Sequence, residues 1–190
     1  DVKIVISDTI ENATADNITQ LNAVGNTTTG IVQATIDGNA AELDDLTANA
    51  TQSGTCTYTI TVDDVATVAQ GKKIVDATSV ATVDFSAAGL TGALATYIAD
   101  GANTAHASLT AIKDKDANIN IIITPALTDI TADQVAQVNS VIASTTGTVT
   151  ATIDGNAAEL DDLTANGTNG QATCAFTIVV DDAATVTQGK

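Results

Sequence analysis

One short segment places oxygen-bearing side chains at alternate positions, in the manner of the first half of a calcium-binding loop. Its four candidate metal ligands are Asp114, Asp116, Asn118 and Asn120. The segment departs from the EF-hand pattern because Ile119 stands where the glycine is required and Pro125 where the closing glutamate belongs. The lysines Lys113 and Lys115 also lower the negative charge of this stretch. Calcium is therefore the one cofactor that these residues suggest.

Pairs of neighbouring aspartates recur along the chain. They are Asp44-Asp45, Asp63-Asp64, Asp161-Asp162 and Asp181-Asp182. Carboxylates at a helix start satisfy free backbone amides and complement the helix dipole, which explains such pairs without a metal. A row of cation sites along one edge of the molecule is the alternative interpretation.

Residues suited to enzyme chemistry are sparse. The one histidine, His106, has no neighbouring cysteine or second histidine and is expected to be a solvated loop residue. The sequence contains no glycine-rich phosphate loop, no zinc-type cysteine spacing and no dinucleotide-binding fingerprint. No carboxylate pair stands out as a catalytic dyad. We therefore expect that the chain is not an enzyme.

The two cysteines, Cys56 and Cys174, lie in matching sequences 118 residues apart. They are copies of one position, and in a stacked array they would lie far beyond the ~4.4–6.8 Å between Cα atoms that a disulfide tolerates. We expect buried free thiols, with an intermolecular bridge as the alternative.

Several Asn-X-Thr sequons raise the possibility of glycan attachment, although a chain rich in Asn and Thr produces them by chance. Asn49 and Asn166 occupy equivalent positions in loops that we expect to be exposed. They are the candidate glycosylation sites.

The composition limits the classes of partner. The 190 residues are 44% hydrophobic, which suffices for a core, but the chain has only two Tyr and two Phe and no Trp. Small and β-branched side chains suit thin, regularly stacked layers. The net charge of −17 would repel nucleic acid and anionic membranes. No apolar run approaches the roughly 20 residues of a membrane helix, so we expect no membrane insertion.

A long internal duplication organises the chain. The sixteen residues 34–49 return unchanged at 151–166, and with their flanks residues 1–72 duplicate roughly 118–190. Residues 73–117 occur once. We therefore predict a partial repeat over 1–72 and a full repeat of about 118 residues over 73–190, within one continuous solenoid. We also expect the chain to be a window on a longer array, or a unit whose open ends stack on neighbours.

The pattern of the residues predicts alternating strands and short helices. The predicted strands are 2–7, 31–37, 57–62 and 80–85, with 107–112 as a short extra strand. Thr14 should cap a helix whose inner face carries Ile18, Leu21 and Val24. Asn39 should cap a second helix, with Glu42 reaching back to the cap amide.

Two further helices follow from the same signals. A helical turn should begin at Asp64 and end at Gly71. Another helix should carry Leu90, Leu94, Tyr97 and Ile98 at helical spacing.

Strand centres recur at intervals of about 23 to 38 residues, which are coil lengths for a repeat array. This spacing predicts an α/β fold, a right-handed parallel solenoid of strand-turn-short-helix coils. A β-solenoid with few helices is the alternative.

Segments such as 58–70 and 131–138 resemble the Thr/Ala/Asp-rich tandem repeats of very large bacterial cell-surface and secreted proteins, including surface-layer-like and adhesin-like chains. The glycine-aspartate nonapeptides of calcium-binding toxin-type β-rolls are absent. The resemblance implies an extracellular or cell-surface location and a structural role.

These observations together predict a structural repeat segment of an extracellular filament, surface layer or adhesin stalk. Its partners would be copies of itself or further repeats of the same chain, stacked end to end. A calcium- or glycan-binding surface module is the alternative function.

Overall fold

The computed structural model describes residues 2–80, 83–85, 88–99, 103–164 and 172–183. They belong to two compact units, the first comprising Asp1–Leu90 with Asp114–Asp116 and the second Thr91–Lys113 with Ala117–Lys190. The first unit ends at Leu90, whereas the sequence places the repeat boundary after residue 72. A compact unit is defined by contacts and a repeat by sequence identity, so the predicted repeat boundary stays a prediction.

The first unit alternates strands and helices. Its described elements are β1 (Ile4–Val5), α1 (Ala15–Thr27), β2 (Ile31–Gly38), α2 (Ala40–Leu43), a 3-10 helix (Asn49–Thr51), β3 (Thr55–Val62), β4 (Ala66–Thr67), α3 (Val68–Asp76) and β5 (Val83–Asp84). Its main sheet has the strand order β1-β2-β3-β5, and every neighbouring pair is parallel. Helix α1 lies in the crossover from β1 to β2, and α2 in the crossover from β2 to β3.

Alternate residues of the long strands form the core of the first unit. In β3 these residues are Cys56, Tyr58, Ile60 and Val62, here called the β3 inward row, and each is at most 1% exposed. Short apolar stripes on the helices complete the core, with Ile18 and Leu21 on α1 and Leu43 and Leu46 on and after α2. The predicted inner faces are confirmed for these residues, whereas Val24, also predicted for the inner face of α1, is only half-buried.

The second unit is built from the remaining elements. They are β6 (Leu90–Gly92), whose first residue closes the first unit, α4 (Leu94–Tyr97), α5 (Ala107–Lys113), β7 (Ile121–Ile123), α6 (Ala132–Ala143), β8 (Thr148–Gly155), α7 (Ala157–Leu160) and β9 (Thr173–Val180). The strands run in the order β6-β7-β8-β9, and β7, β8 and β9 are parallel. Beside β6 and β7, the Thr124 N–H donates to the Gly92 carbonyl at 2.9 Å.

The sequence duplication is also a structural one. The β2–β3 and β8–β9 pairs each align eight residues in parallel, and Ile36 faces Ile60 as Ile153 faces Ile178. The turns before the two long helices match as well, because Asn12 and Asp129 both have a φ near +50°, at 49° and 48°. Asn and Asp tolerate this left-handed conformation better than most residues. The two copies therefore share local backbone geometry.

Three helices begin with reciprocal capping boxes. Thr14, Thr67 and Thr131 each accept a hydrogen bond from the N–H three residues on, and the side chain at that position accepts from the threonine N–H. The predicted Thr14 cap is confirmed. The capping box at Thr67 also corrects the prediction for α3, which begins at Val68 instead of Asp64.

The predicted end of α3 at Gly71 is wrong as well. The helix runs through Gly71 to Asp76 because Ile74 and Val75 extend its buried stripe by another turn. A buried stripe of this kind outweighs the roughly 1 kcal/mol that a glycine costs inside a helix.

The predicted cap of α2 is also wrong. Asn39 precedes the helix, but its side chain makes no cap hydrogen bond. The Ala40 N–H instead donates to Oδ1 of Asp64 at 2.7 Å, and in the second unit the Ala157 N–H donates to Oδ1 of Asp182 at 2.7 Å. The partner comes from the end of the neighbouring strand, which a local capping rule does not consider.

Two predictions between residues 90 and 112 need correction. Leu90 lies in β6 instead of a helix, and the helix that follows covers only Leu94–Tyr97. The extra strand predicted over 107–112 is α5, because Leu109 and Ile112 are spaced three apart and both are buried. In both segments the run of apolar residues is short, so the spacing of these residues does not distinguish a strand from a helix.

The described residues contain seven α-helices and parallel sheets, which confirms the α/β class. The alternative with few helices does not fit this helix content. No helix in the described ranges combines the length and the apolar character that crossing a bilayer requires.

Candidate functional site

The four candidate calcium ligands have different surroundings. Asp116 is buried, and its Oδ2 accepts the Phe85 N–H at 2.7 Å within the first unit. Oδ1 of Asn120 accepts the Thr148 N–H at 2.8 Å within the second unit. Asp114 and Asn118 are exposed. The carboxylate of Asp116 and the amide of Asn120 therefore hold backbone in place, each in its own unit.

Lys115 fixes the same segment to the first unit. Its Nζ donates to the carbonyls of Val80 at 2.7 Å and Thr78 at 3.3 Å. No group of three or more His, Cys, Asp or Glu side chains in the described ranges is arranged to hold a metal ion. Calcium binding at Asp114, Asp116, Asn118 and Asn120 stays a prediction.

The first candidate glycosylation site has a structural role. Asn49 begins the 3-10 helix, and its Oδ1 accepts the Cys56 N–H at 2.6 Å. Its equivalent, Asn166, lies outside the described residues. Glycosylation at both positions stays a prediction.

Neither Cys56 nor Cys174 forms a disulfide bond. Cys56 is buried, with its Sγ 3.2 Å from Oε1 of Gln52, whereas Cys174 is half-buried. Burial raises the pKa of both thiols, so neither is activated as a thiolate nucleophile. The expected buried free thiol is confirmed for Cys56.

His106 is an exposed residue directly before α5. Its Nδ1 accepts the Ser108 N–H at 3.1 Å. The side chain therefore has a capping role at the start of a short helix, in the loop position that the sequence predicts.

The aspartate pairs after β3 and β9 belong to a repeated acidic cluster. Asp63 and Asp37 share a hydrogen bond, which with the nearby charges raises the pKa of Asp63. Burial, a hydrogen bond with Asp154 and nearby charges likewise raise the pKa of Asp181. Asp64 caps α2, and Asp182 caps α7. These two pairs therefore do cap helix starts, but the helix in each case precedes the pair in the sequence.

Three threonines fasten successive segments together, and the sequence analysis did not identify them. In each threonine latch, the hydroxyl donates to a carbonyl at or just before an earlier strand and accepts the N–H two residues on. Thr28 donates to the Val2 carbonyl at 3.0 Å, Thr78 to Tyr58 at 2.8 Å and Thr145 to Ile119 at 2.6 Å. The signal was present, since Thr28 and Thr145 differ by the repeat offset and lie within two residues of the ends of α1 and α6.

Two asparagines make a matching pair of bonds between a long helix and the loop after the next short helix. The Asn22 side chain donates to the Asp45 carbonyl at 2.9 Å and accepts the Thr47 N–H at 2.8 Å. Asn139 does the same with Asp162 and Thr164, both at 2.8 Å. Each amide side chain therefore satisfies one backbone carbonyl and one backbone N–H of the loop.

The outermost strand of each sheet differs in burial from its own copy. Ile178 and Val180 in β9 are 48% and 46% exposed, although their equivalents in the β3 inward row are buried. Ile4 and Ile6, in and just after β1, are half-buried, whereas their equivalents Ile121 and Ile123 in β7 are buried. The described residues thus include two partly exposed apolar strand edges, one at β9 and one at β1.

Comparisons of the chain with protein-family models, with curated proteins and with solved structures gave no match.

Proposed function

We propose that this protein is a structural repeat segment of an extracellular filament, surface layer or adhesin stalk, and that its coils stack end to end. In this proposal the two units are successive stretches of one right-handed parallel solenoid of strand-turn-short-helix coils. The observation that carries the proposal is the reuse of one eight-residue parallel strand pair, β2–β3 and β8–β9, with the same register in both units.

The bonds around that pair support a mechanical role. The asparagine pair, the aspartate caps and the threonine latches at Thr28 and Thr145 recur at equivalent positions in both units. Each joins side chain to backbone across 23 to 26 residues of sequence, which is one strand and one helix apart. An array fastened in this way at every coil resists bending and stretching, and that is what a spacer requires.

The charge distribution suits the same role. The chain carries 23 acidic and 6 basic residues, so its surface is strongly negative. Like charge keeps long arrays soluble and holds neighbouring arrays apart. Association is then directed to the edge strands, where apolar side chains such as Ile178 are exposed.

Electron microscopy of the purified chain tests the proposal. We expect rod-like particles of constant width whose length increases with protein concentration, because added copies extend the array at its ends. The same preparation diluted to the lowest visible concentration is the control. Particles of one fixed length at every concentration would contradict end-to-end stacking.

The location is tested separately. Antibodies raised against the folded chain should label the surface of intact source cells or the material that those cells release. Labelling that appears only after permeabilisation would contradict an extracellular role.

A further inference from the structure

The inward-facing residues of β9 are more exposed than the equivalent residues of β3 in the first unit. Its inward row consists of Cys174, Phe176, Ile178 and Val180, the equivalents of the β3 inward row. The β3 row is fully buried, whereas Cys174 and Phe176 are only half-buried and Ile178 and Val180 are nearly half exposed. Among the described residues no strand pairs with the outer edge of β9, so these apolar side chains form a partly exposed surface.

The first unit shows which segment covers the equivalent edge of β3. A parallel strand, β5, pairs with the outer edge of β3 and places Val83 beside Ile60. Thr78 and Ser79 also donate to the carbonyls of Tyr58 and Cys56, at 2.8 and 2.9 Å. The complement of a β3-type edge is therefore a parallel strand with β-branched inward residues.

Strand β1 has a described neighbour on one edge only, and this edge is the one opposite to that of β9. Its equivalent in the second unit, β7, has β8 on one side and β6 on the other, and its residues Ile121 and Ile123 are buried. Among the described strands β1 pairs only with β2, and Ile4 and Ile6 are half-buried. In the second unit the edge of β7 that faces away from β8 is thus covered by a further strand.

We propose that β9 of one copy binds β1 of a second copy as an added parallel strand. The inference rests on the proposed end-to-end stacking and names the surfaces that carry it. The inward residues Val2, Ile4 and Ile6 of the second copy supply β-branched side chains that pack beside the β9 inward row. The contact uses two different surfaces, so each bound copy leaves one of each kind free, and the assembly grows as an open filament.

Blocked variants test this pairing by sedimentation velocity. Ile178→Asp places a charge in the β9 inward row and leaves β1 intact, whereas Ile4→Asp does the reverse. We expect each variant alone to sediment as a single chain at concentrations where the unsubstituted chain forms longer species. An equimolar mixture should form a 1:1 dimer and nothing larger, because one intact β9 meets one intact β1.

Controls keep the result specific. Thr152→Asp adds the same charge on the solvent face of the central strand β8 and should associate like the unsubstituted chain. Melting curves check that the variants fold, and Ile178→Thr with Ile4→Thr provides a milder pair if either aspartate variant unfolds.

The outcomes are distinguishable. An Ile4→Asp chain that still associates by itself, or a mixture that stays monomeric while the unsubstituted chain associates, overturns the β1–β9 pairing and leaves the stacking proposal standing. An unsubstituted chain that remains monomeric at every concentration overturns both.

Discussion

Ile60 and Ile178 occupy the same position in two copies of one strand, yet Ile60 is 1% exposed and Ile178 is 48% exposed. Both face an isoleucine of the preceding strand, Ile36 in the first unit and Ile153 in the second. On the opposite edge β5 pairs with β3 beside Ile60, whereas no described strand pairs with that edge of β9. Burial in this protein is therefore set by the neighbouring segment more than by the strand's own sequence.

The two tyrosines should respond differently to loss of the hydroxyl. Tyr97 donates to the Ile122 carbonyl at 3.1 Å, so Tyr97→Phe should lower the free energy of unfolding by about 1 kcal/mol. The buried Tyr58 hydroxyl lies beside Cys56 and Gln52 but makes no hydrogen bond of standard geometry. Tyr58→Phe should be neutral or stabilising, and Phe176 already occupies this position in the second copy.

Urea unfolding of the two variants measures the difference. A loss for Tyr58→Phe equal to that for Tyr97→Phe would show that the Tyr58 hydroxyl is well bonded.

The threonine latch at Thr145 should contribute measurably to stability. Thr145→Val keeps the shape but removes a buried hydroxyl that donates to the Ile119 carbonyl at 2.6 Å and accepts the Gly147 N–H at 2.9 Å. We expect a loss of about 1–3 kcal/mol in the free energy of unfolding, because both backbone groups lose a partner. Thr152→Val on the exposed face of β8 should change it by less than about 0.5 kcal/mol. Equal effects for the two variants would contradict the latch.

Capping of α2 should depend on Asp64 and not on Asn39. Asp64→Ala removes the acceptor of the Ala40 N–H and should cost about 1 kcal/mol of stability, as for other helix caps. Asn39→Ala should have little effect, because the Asn39 side chain makes no cap hydrogen bond. Chemical denaturation measures the free energy of unfolding of both variants. A larger loss for Asn39→Ala than for Asp64→Ala would support the local capping box instead.

The carboxylate pair Asp37–Asp63 should lower stability at neutral pH. The pKa of Asp63 is raised in the folded protein by its hydrogen bond with Asp37, by partial desolvation and by the nearby charges. A raised carboxylate pKa favours the folded state when the group is protonated, and this advantage disappears as the pH rises through the folded pKa. Asp63→Asn should therefore raise the urea midpoint at pH 7 relative to the unsubstituted chain.

The gain from Asp63→Asn should shrink at acid pH, where the carboxyl group is protonated in the unsubstituted chain. Asp8→Asn controls for the loss of one negative charge elsewhere on this acidic chain. A gain that is the same at pH 7 and pH 4, or the same as that of Asp8→Asn, would remove the pair as its cause.

A calcium titration separates the structural function from the calcium-binding alternative. We expect calcium to produce no saturable heat and no rise in melting temperature, because the Asp116 carboxylate and the Asn120 amide oxygen already accept backbone amides. Magnesium at equal ionic strength is the control for general screening of the negative charge. Saturable heat that Asp116→Asn abolishes would favour the predicted site.

The sequence predicted the elements whose signals are local or duplicated. Thr14 could be recognised as a cap because its partner, Asn17, is three residues away. The β2 and β8 strands could be recognised from alternation and from their repetition. These features require no knowledge of which segments are neighbours in space.

The remaining features depend on neighbours that one sequence does not reveal. Asp64 caps a helix 24 residues earlier because parallel pairing brings the end of β3 beside the end of β2. The burial of Asp116 depends on the Phe85 N–H, 31 residues away. The open edge at Ile178 depends on the absence of a described strand beyond β9, which the pattern of its own residues does not indicate.

The weight-average mass of the unsubstituted chain, measured by sedimentation equilibrium over a wide concentration range, tests end-to-end stacking most directly. The stacking account predicts a mass that keeps rising with concentration, beyond that of a dimer, because each added copy leaves an open edge for the next. A mass that stays at the 19.0 kDa of one chain, or that stops at a closed dimer, would contradict it.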